Sequence, residues 1–377
     1  MHNHPDITPQ LLQQIQRWIE IESPSHDAAA LVRMATHIER DARDAGLSVE
    51  VLPLHADTGP ALHIHNRTAG NNDKGILVLG HYDTVHPIGT LDRNPCRQEG
   101  DILYGPGGYD MKAGVCLALY GLSQAVKQGG TALPVDLLLL PDEETGSHYS
   151  RPTIERFAAN ARYALVAEPA RANGGRCVTA RKGTGTIQIT THGQAAHAGI
   201  AHDQGQNAIE EMAHQVLALQ KMTDYERGIT VSVGTIRGGT TSNVVPDHCF
   251  IEADFRVVDE HSAQHLQTQV EALQSINPAV TMTIEFDLNR PAMPRTAATE
   301  ALLIQCQDFA QQAGWSLQEA PRTGGASDAN FTAALGVPTL DGLGADGDGA
   351  HTLHEHILIS TLAQRAKFWL YALMRLR

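Results

Sequence analysis

Apolar positions recur at helical spacing near the start of the chain. Over residues 9–21, Leu11, Leu12, Ile15, Trp18 and Ile19 fall on one face, and Leu31, Met34 and Ile38 mark a second helix. After Gly46 the pattern changes to short extended runs. GILVLGH (75–81), PVDLLLLPDEE (134–144) and YALVAEP (163–169) are brief continuous apolar stretches closed by polar residues or proline, as expected of strands buried on both faces. Between the first two, MKAGVCLALYGLSQAV (111–126) has helical spacing and small residues suited to packing on a sheet, which predicts α/β organisation. From about residue 178 the texture alters. An alternating run TGTIQITTHG is followed by a helix from Asn207 to Gln220, strands ITVSVGTI (229–236) and CFIEADFRVV (249–258), a helix from 260 and a strand near 280–286. That order, β-α-β-β-α-β, is the split ferredoxin-like unit. The segments QCQDFAQQAGW and GVPTL and a closing helix through Phe368, Leu370 and Leu373 return to α/β texture. The pattern predicts a discontinuous mixed-sheet α/β domain over 1–177 and 292–377, with a second domain inserted over 178–291.

Composition sharpens this picture at a few points. A chain of 377 residues that is 42% hydrophobic is long for one simple core and favours two domains. With 42 acidic against 28 basic residues the formal charge is -14, which removes the broad positive field that nucleic acids or anionic membranes require. The opening MHNHPDITPQ has neither a basic n-region nor an apolar h-region, and apolar stretches such as LVLG and LLLL are far short of a membrane span, so a soluble, cytoplasmic protein is expected. Cys96, Cys116, Cys177, Cys249 and Cys306 are odd in number and scattered without a CxxC, which argues against a disulfide framework and a thiolate zinc site. Any metal must be held by nitrogen and oxygen, and the 20 histidines raise the question of how many are recruited to a site.

Three of the expected strands end in metal-capable residues: His81 in GHYDTV, Glu143 and Glu144 in PDEETGS, and Glu168 in AEP. The C-terminal edge of an open α/β sheet is where ligand sites form, so these groups could converge despite their separation in sequence. Asp110, where the Gly/Pro-rich turn YGPGGYD meets a helix, and His351 in GAHTLHEH are further candidates. Each has an ordinary structural reading. One histidine at a strand end is more often hydrogen-bonded scaffold, an acidic turn is usually solvated, and Asp110 alone is a carboxylate favoured by the helix dipole. Their joint occurrence is what points to metal. The Gly-rich runs GPGGYD and RKGTGT fit neither phosphate-loop nor dinucleotide spacing, so no nucleotide site is expected.

Taken in order, GHYDTV, YGPGGYDMKAG, PDEETGS, AEP, GQAAHAG, NVVP, DFR, GGASDANF and GAHTLHE resemble the dinuclear zinc hydrolases that include bacterial folate-hydrolysing glutamate carboxypeptidase, acetylornithine deacetylase, succinyl-diaminopimelate desuccinylase and aminoacylase. The resemblance runs from about residue 10 to the C-terminus. It implies that His81, Asp110 and Glu168 bind one metal and that Asp110, Glu144 and His351 bind the other, with Asp110 bridging. It also implies a cis peptide after Asp110. Two divalent ions about 3.5–4 Å apart repel strongly, a cost that a bridging carboxylate and hydroxide lower while placing the nucleophile between two Lewis acids. Zinc fits this donor set, and so do cobalt and manganese. Glu143, beside ligand Glu144, is the expected general base, and Asp83, on the same side of an extended chain as His81, is expected to orient its imidazole.

From the inserted domain the resemblance implies His197 as an oxyanion-stabilising residue acting across a homodimer, Asn243 as a substrate contact and Arg256 as the carboxylate binder. Arg290 is a second carboxylate candidate, and Ser327 and Asp328 are polar contacts of a side-chain pocket. His2, His4, His63, His65, His86, His354 and His356 match no such role. The expected reaction is hydrolysis of an amide bond next to a free carboxylate in a small N-acyl amino acid or peptide. The runs HYDTVHPIGTL, SRPTIERFA and RKGTG look most like the glutamate carboxypeptidase branch. An N-acyl-amino-acid deacylase is the alternative enzyme, and a catalytically silent amino-acid-binding homologue the alternative from another class. Two bound divalent ions would bring the charge from -14 to -10.

Overall fold

The computed structural model describes residues 6–68, 70–71, 73–171 and 174–377, so His2 and His4 lie outside the described residues. The chain divides into two units, one of Met1–Ala180, Arg295–Thr323 and Ser327–Arg377, the other of Arg181–Pro294 with Gly324–Ala326.

The first unit is built on a six-stranded mixed sheet in the order Ser48–Leu52, Ala61–His65, Val135–Leu140, Gly75–His81, Ala161–Val166 and Thr339–Leu340. Every residue of Gly75–His81 and of Val135–Leu140 is buried, which explains why these strands read as unbroken apolar runs. Four neighbours, from Val135–Leu140 to Thr339–Leu340, run parallel, and the two at the other edge pair antiparallel. The helix Ala113–Lys127 lies against Gly75–His81 and carries small residues at the approach: a Cβ on Gly114 would stand 2.0 Å from the Ala167 carbonyl oxygen. The first two helices, Thr8–Ile19 and Ala28–Asp44, bury Leu11, Ile15, Trp18, Leu31, Met34 and Ile38 in the same core, and the helix Leu362–Arg375 closes it with Phe368, Trp369 and Leu373.

A separate antiparallel sheet of four very short strands, Gly347–Asp348, His356–Leu358, Ile102–Tyr104 and Arg97–Glu99, has no counterpart in the sequence pattern, because strands of two or three residues show no period. It matters for the site, since the segment holding Asp110 follows Ile102–Tyr104 and His351 lies in the turn joining Gly347–Asp348 to His356–Leu358.

The second unit has a four-stranded antiparallel sheet in the order Thr230–Gly238, His248–Val257, Gly183–His192 and Thr281–Arg290, with helices Ala208–Gln220 and Glu260–Glu271. Strict alternation along Gly183–His192 buries Ile187 and Ile189 with Phe255, Leu266 and Met212 in a core of its own. The boundaries fall about three residues later than 177/178 and 291/292. Cys177 and Val178 are stitched by backbone hydrogen bonds to Gln318, Ala320 and Asp341 of the first unit, whereas Arg181 bonds Met293 within the second. No helix among the described residues is long and apolar enough to cross a membrane.

Candidate metal centre

Strand register brings the acidic segments to one place. His81 pairs with Leu140, and Leu79 with Val166, so the three parallel strands end side by side. The residues just beyond, Glu143–Glu144 and Glu168, emerge on the edge that His81 occupies. The turn carrying Glu143 and Glu144 is shaped by Asp142, a buried carboxylate that accepts hydrogen bonds from Tyr149 N–H at 2.8 Å, Ser150 N–H at 3.2 Å and the Ser150 hydroxyl. Asp110 arrives from the small sheet in a wide turn over Gly108–Lys112, and the Asp110–Met111 peptide is cis. His351 sits in the left-handed region at φ 65°, a backbone that a non-glycine residue keeps only where its surroundings over-determine it.

Asp110 lies at the centre. Its Oδ1 is 3.2 Å from His81 Nε2, and its Oδ2 is 3.2 Å from His351 Nε2. Glu168 Oε1 stands 3.6 Å from the same His81 nitrogen, and Glu144 Oε2 stands 3.2 Å from the same His351 nitrogen. Each oxygen of one aspartate thus faces a different His/Glu pair. Ligand-capable atoms of His81, Asp110 and Glu144, and of His81, Glu143 and Glu168, also lie within 4.8 Å of one another. His81 Nδ1 is 3.0 Å from the Asp83 carbonyl oxygen and 3.3 Å from its Oδ1, which places the ring proton on Nδ1 and leaves Nε2 for a ligand. Fully buried Asp83 also accepts from Ser25 Oγ at 2.7 Å and from the N–H groups of Glu143 and Glu144, each at 3.2 Å. One carboxylate therefore sets both the His81 ring and the Glu143–Glu144 turn.

Electrostatics mark the same spot. Burial pulls the His81 imidazole down, but hydrogen bonds to Asp110 and Asp83 outweigh it and hold it well above the usual histidine range. Hydrogen bonds to Asp110 and Glu144 push His351 up to about 11. Burial works against ionising Asp110, yet its two histidine partners keep it well below the usual carboxylate range, while Glu144 and Glu168 are raised, both first by burial. Two imidazoles stand among four crowded carboxylates, those of Asp110, Glu143, Glu144 and Glu168. The donor set fits divalent cations, and one atom accords with it: Glu144 Oε1 is buried with no hydrogen-bond partner among the described residues.

The remaining sequence candidates fall as follows. In the second unit, Ala196–His197 pairs with Val244–Val245, and Ala198 N–H donates to the Asn243 carbonyl at 2.9 Å, so His197 and Asn243 are neighbours on an exposed ladder. Arg256 and Arg290 both flank Thr184 in one cross-strand row. Arg256 makes a two-pronged contact to Asp254, at 2.8 and 2.6 Å, and Arg290 is buried. Ser327 is fully buried and its hydroxyl donates to Asp341 Oδ2 at 2.6 Å, and Asp328 is likewise buried and bonded to the Ser147 hydroxyl. Sequence reasoning missed Glu355, whose buried carboxylate accepts N–H groups from Tyr109 at 3.0 Å and Asp110 at 2.9 Å. His86, without an assigned role, touches that carboxylate at 2.7 Å. His63 and His65 form a separate group with Glu50, in which His63 Nε2 lies 2.9 Å from Asp136.

An open α/β sheet at whose edge two imidazoles and three glutamates gather around one shared aspartate is the framework of a metal-dependent hydrolase. Comparison with known proteins gives the family: the chain belongs to Peptidase family M20/M25/M40, which it matches over residues 77–375. It is 29% identical over 367 residues to carboxypeptidase G2 of Pseudomonas sp., covering 96% of this chain and 88% of that one. It is 25% identical to succinyl-diaminopimelate desuccinylase of Hydrogenovibrio crunogenus, covering 97% and 98% of the two chains. The M20 family metallo-carboxypeptidase of Sulfolobus solfataricus has the same fold, with TM-score 0.77, 17% identity and coverage of 97% and 98%. The protein is an M20-family metallohydrolase.

Proposed function

We propose that this metallohydrolase is a glutamate carboxypeptidase-like enzyme that releases a C-terminal acidic amino acid from an N-acylated amino acid or short peptide. The observation that carries the metal assignment is the division of Asp110, with one oxygen toward His81 and Glu168 and the other toward His351 and Glu144. His81, Asp110 and Glu168 would hold one divalent ion, and Asp110, Glu144 and His351 the other, with zinc as the resident metal and cobalt or manganese as substitutes. Such ions, when bound, polarise a scissile carbonyl and acidify a water. Glu143 takes the proton of the attacking water and hands it to the departing nitrogen. Its carboxylate is buried within 4.8 Å of His81 and Glu168 ligand atoms, close enough to reach a water at that edge. Asp83 acts through its neighbours, fixing the His81 tautomer and the backbone of Glu143 and Glu144.

The Arg256 guanidinium is the receptor for the substrate carboxylate: it already holds Asp254 in the geometry that a free carboxylate would take. Arg290, from the same row, is the second cation for an acidic side chain. His197 stabilises the developing oxyanion and is contributed across a homodimer formed by the inserted unit, which also serves as a lid, while Asn243 contacts the substrate. Ser327 is retained as an anchor of its loop through Asp341.

Glu143→Ala tests the assignment. With two metal equivalents still bound it should lose about 10²–10⁴-fold in kcat, and undiminished turnover would remove Glu143 from the chemistry. Substrate class is read from the amino acid liberated across a panel of N-acyl amino acids. Preferential release of glutamate supports the carboxypeptidase reading. Faster release of ornithine from N-acetylornithine, or of diaminopimelate from its N-succinyl derivative, would establish the deacylase instead.

A further inference from the structure

Glu355 is wholly buried, and four donors converge on its carboxylate. Oε1 accepts from the backbone N–H groups of Tyr109 at 3.0 Å and Asp110 at 2.9 Å. Oε2 accepts from Gly107 N–H at 2.9 Å and lies 2.7 Å from His86 Nε2. The Glu355 carbonyl accepts Gly105 N–H at 3.2 Å. Three of these four donors are backbone N–H groups of one loop, from Gly107, Tyr109 and Asp110, a set of the kind that binds anions, and here the anion is a side chain of the protein. An N–H held in this way fixes its peptide plane and with it the direction in which the Asp110 side chain leaves the backbone. Glu355 also closes the turn that begins at Gly349 and contains His351, since its N–H bonds the Thr352 carbonyl at 3.3 Å. One side chain therefore ties the loop of Asp110 to the turn of His351.

We propose that Glu355, held by His86, is a positioning residue of the metal centre: it aims the Asp110 carboxylate between His81 and His351 and sets their spacing. The proposal rests on the metal-centre reading above. An ordinary buried anchor would alter folding stability alone, whereas a positioning residue must alter how ions are held.

Cobalt(II) titration of the metal-free protein reads the centre through its visible d–d absorption, with no substrate present. Glu355→Gln keeps the shape but turns an amide toward donors that need an acceptor. His86→Phe keeps a ring and deletes one donor, and His86→Gln restores an N–H. In Glu355→Gln and His86→Phe with wild-type far-UV circular dichroism, cobalt should bind about 10–100-fold more weakly. The d–d spectrum should change, and kcat should fall while KM stays near wild type. His86→Gln should recover most of the affinity. Wild-type cobalt affinity and spectrum in both variants, even if they melt at lower temperature, would overturn the proposal. Should Glu355→Gln not fold, the His86→Phe and His86→Gln pair decides in the same way. Asp110→Asn and Glu144→Gln form a separate arm. Unchanged cobalt stoichiometry there would overturn the metal-centre reading and this proposal with it, whereas loss there without loss in His86→Phe and Glu355→Gln would overturn the proposal alone.

Discussion

At the scale of single residues, a side chain is legible in sequence when its neighbours announce its environment. His81, Glu143, Glu144 and Glu168 each stand where an apolar run breaks off, and the break is what puts them at a sheet edge. Glu355 has no such flag. It lies in a polar turn beside three histidines, and its importance comes from backbone N–H groups about 250 residues earlier, which no local pattern records. Ser327 shows a different limit, since its glycine-rich loop gives no sign that the hydroxyl is buried and donates to Asp341. Asp136, at the start of the strand that leads to Glu143, was also hidden within an apolar run. It takes Arg67 Nε at 2.7 Å and Nη2 at 2.6 Å besides His63. Burial pushes its carboxyl up, but the hydrogen bonds from His63 and Arg67 prevail and leave it below the usual range. A depressed folded-state value means that the stabilisation is fully present above the unfolded pKa of about 3.9 and is lost as pH falls through the folded value. Asp136→Asn should therefore cost about 3 kcal/mol near neutral pH, with the gap to wild type narrowing below pH ~4. Urea unfolding across that range measures it, and a gap independent of pH would exclude the ion pair as its source.

At the scale of elements, the long pieces were legible and the short ones were not. The expected helix over 111–126 forms as Ala113–Lys127, and the apolar run at 75–81 forms as the strand Gly75–His81. Small residues in that helix were legible as a packing surface, and the structure supplies the reason. A Cβ on Gly114 would meet Ala167 O at 2.0 Å and Gly344 Cα at 3.1 Å, while one on Gly121 would meet Trp369 Cβ at 2.6 Å. Both contacts are too close for any methyl, so Gly114→Ala and Gly121→Ala should each cost about 1–3 kcal/mol through overpacking. Their functional consequences should differ. Gly114 lies four residues after Asp110 and presses on the segment just before Glu168, whereas the atoms nearest a Cβ on Gly121 belong to the closing helix. Weaker metal binding is thus expected in Gly114→Ala but not in Gly121→Ala at matched stability. Equal metal affinity in the two would show that this helix supports the fold without setting the ligand spacing.

At the scale of the molecule, the change of texture near 178 and the return near 292 marked a division that the structure draws as two units with separate apolar cores. What the pattern could not reveal is that Gly324–Ala326, far along the chain, belongs with the second unit: a three-residue segment carries no periodicity, and its place is visible only through contacts such as Arg181 Nη1 to Gly325 O at 2.9 Å. The division has a thermodynamic consequence. His81, Asp110, Glu143, Glu144, Glu168 and His351 all lie in the first unit. Ions that bind only its folded form stabilise it by mass action, by about 2.7 kcal/mol for each site at a free concentration one hundred times Kd. Removing them with a chelator should therefore speed amide hydrogen exchange in Gly75–His81, Val135–Leu140 and Ala161–Val166 and in the segments around Asp110 and His351. The strands Gly183–His192 and His248–Val257 hold none of these six residues, bury their own apolar side chains and should keep their protection. Exchange that quickens equally in both sheets would mean that the ions stabilise the two units as one cooperative body. Protection unchanged in both would mean that the carboxylates and imidazoles around Asp110 hold their arrangement without the energy of bound metal.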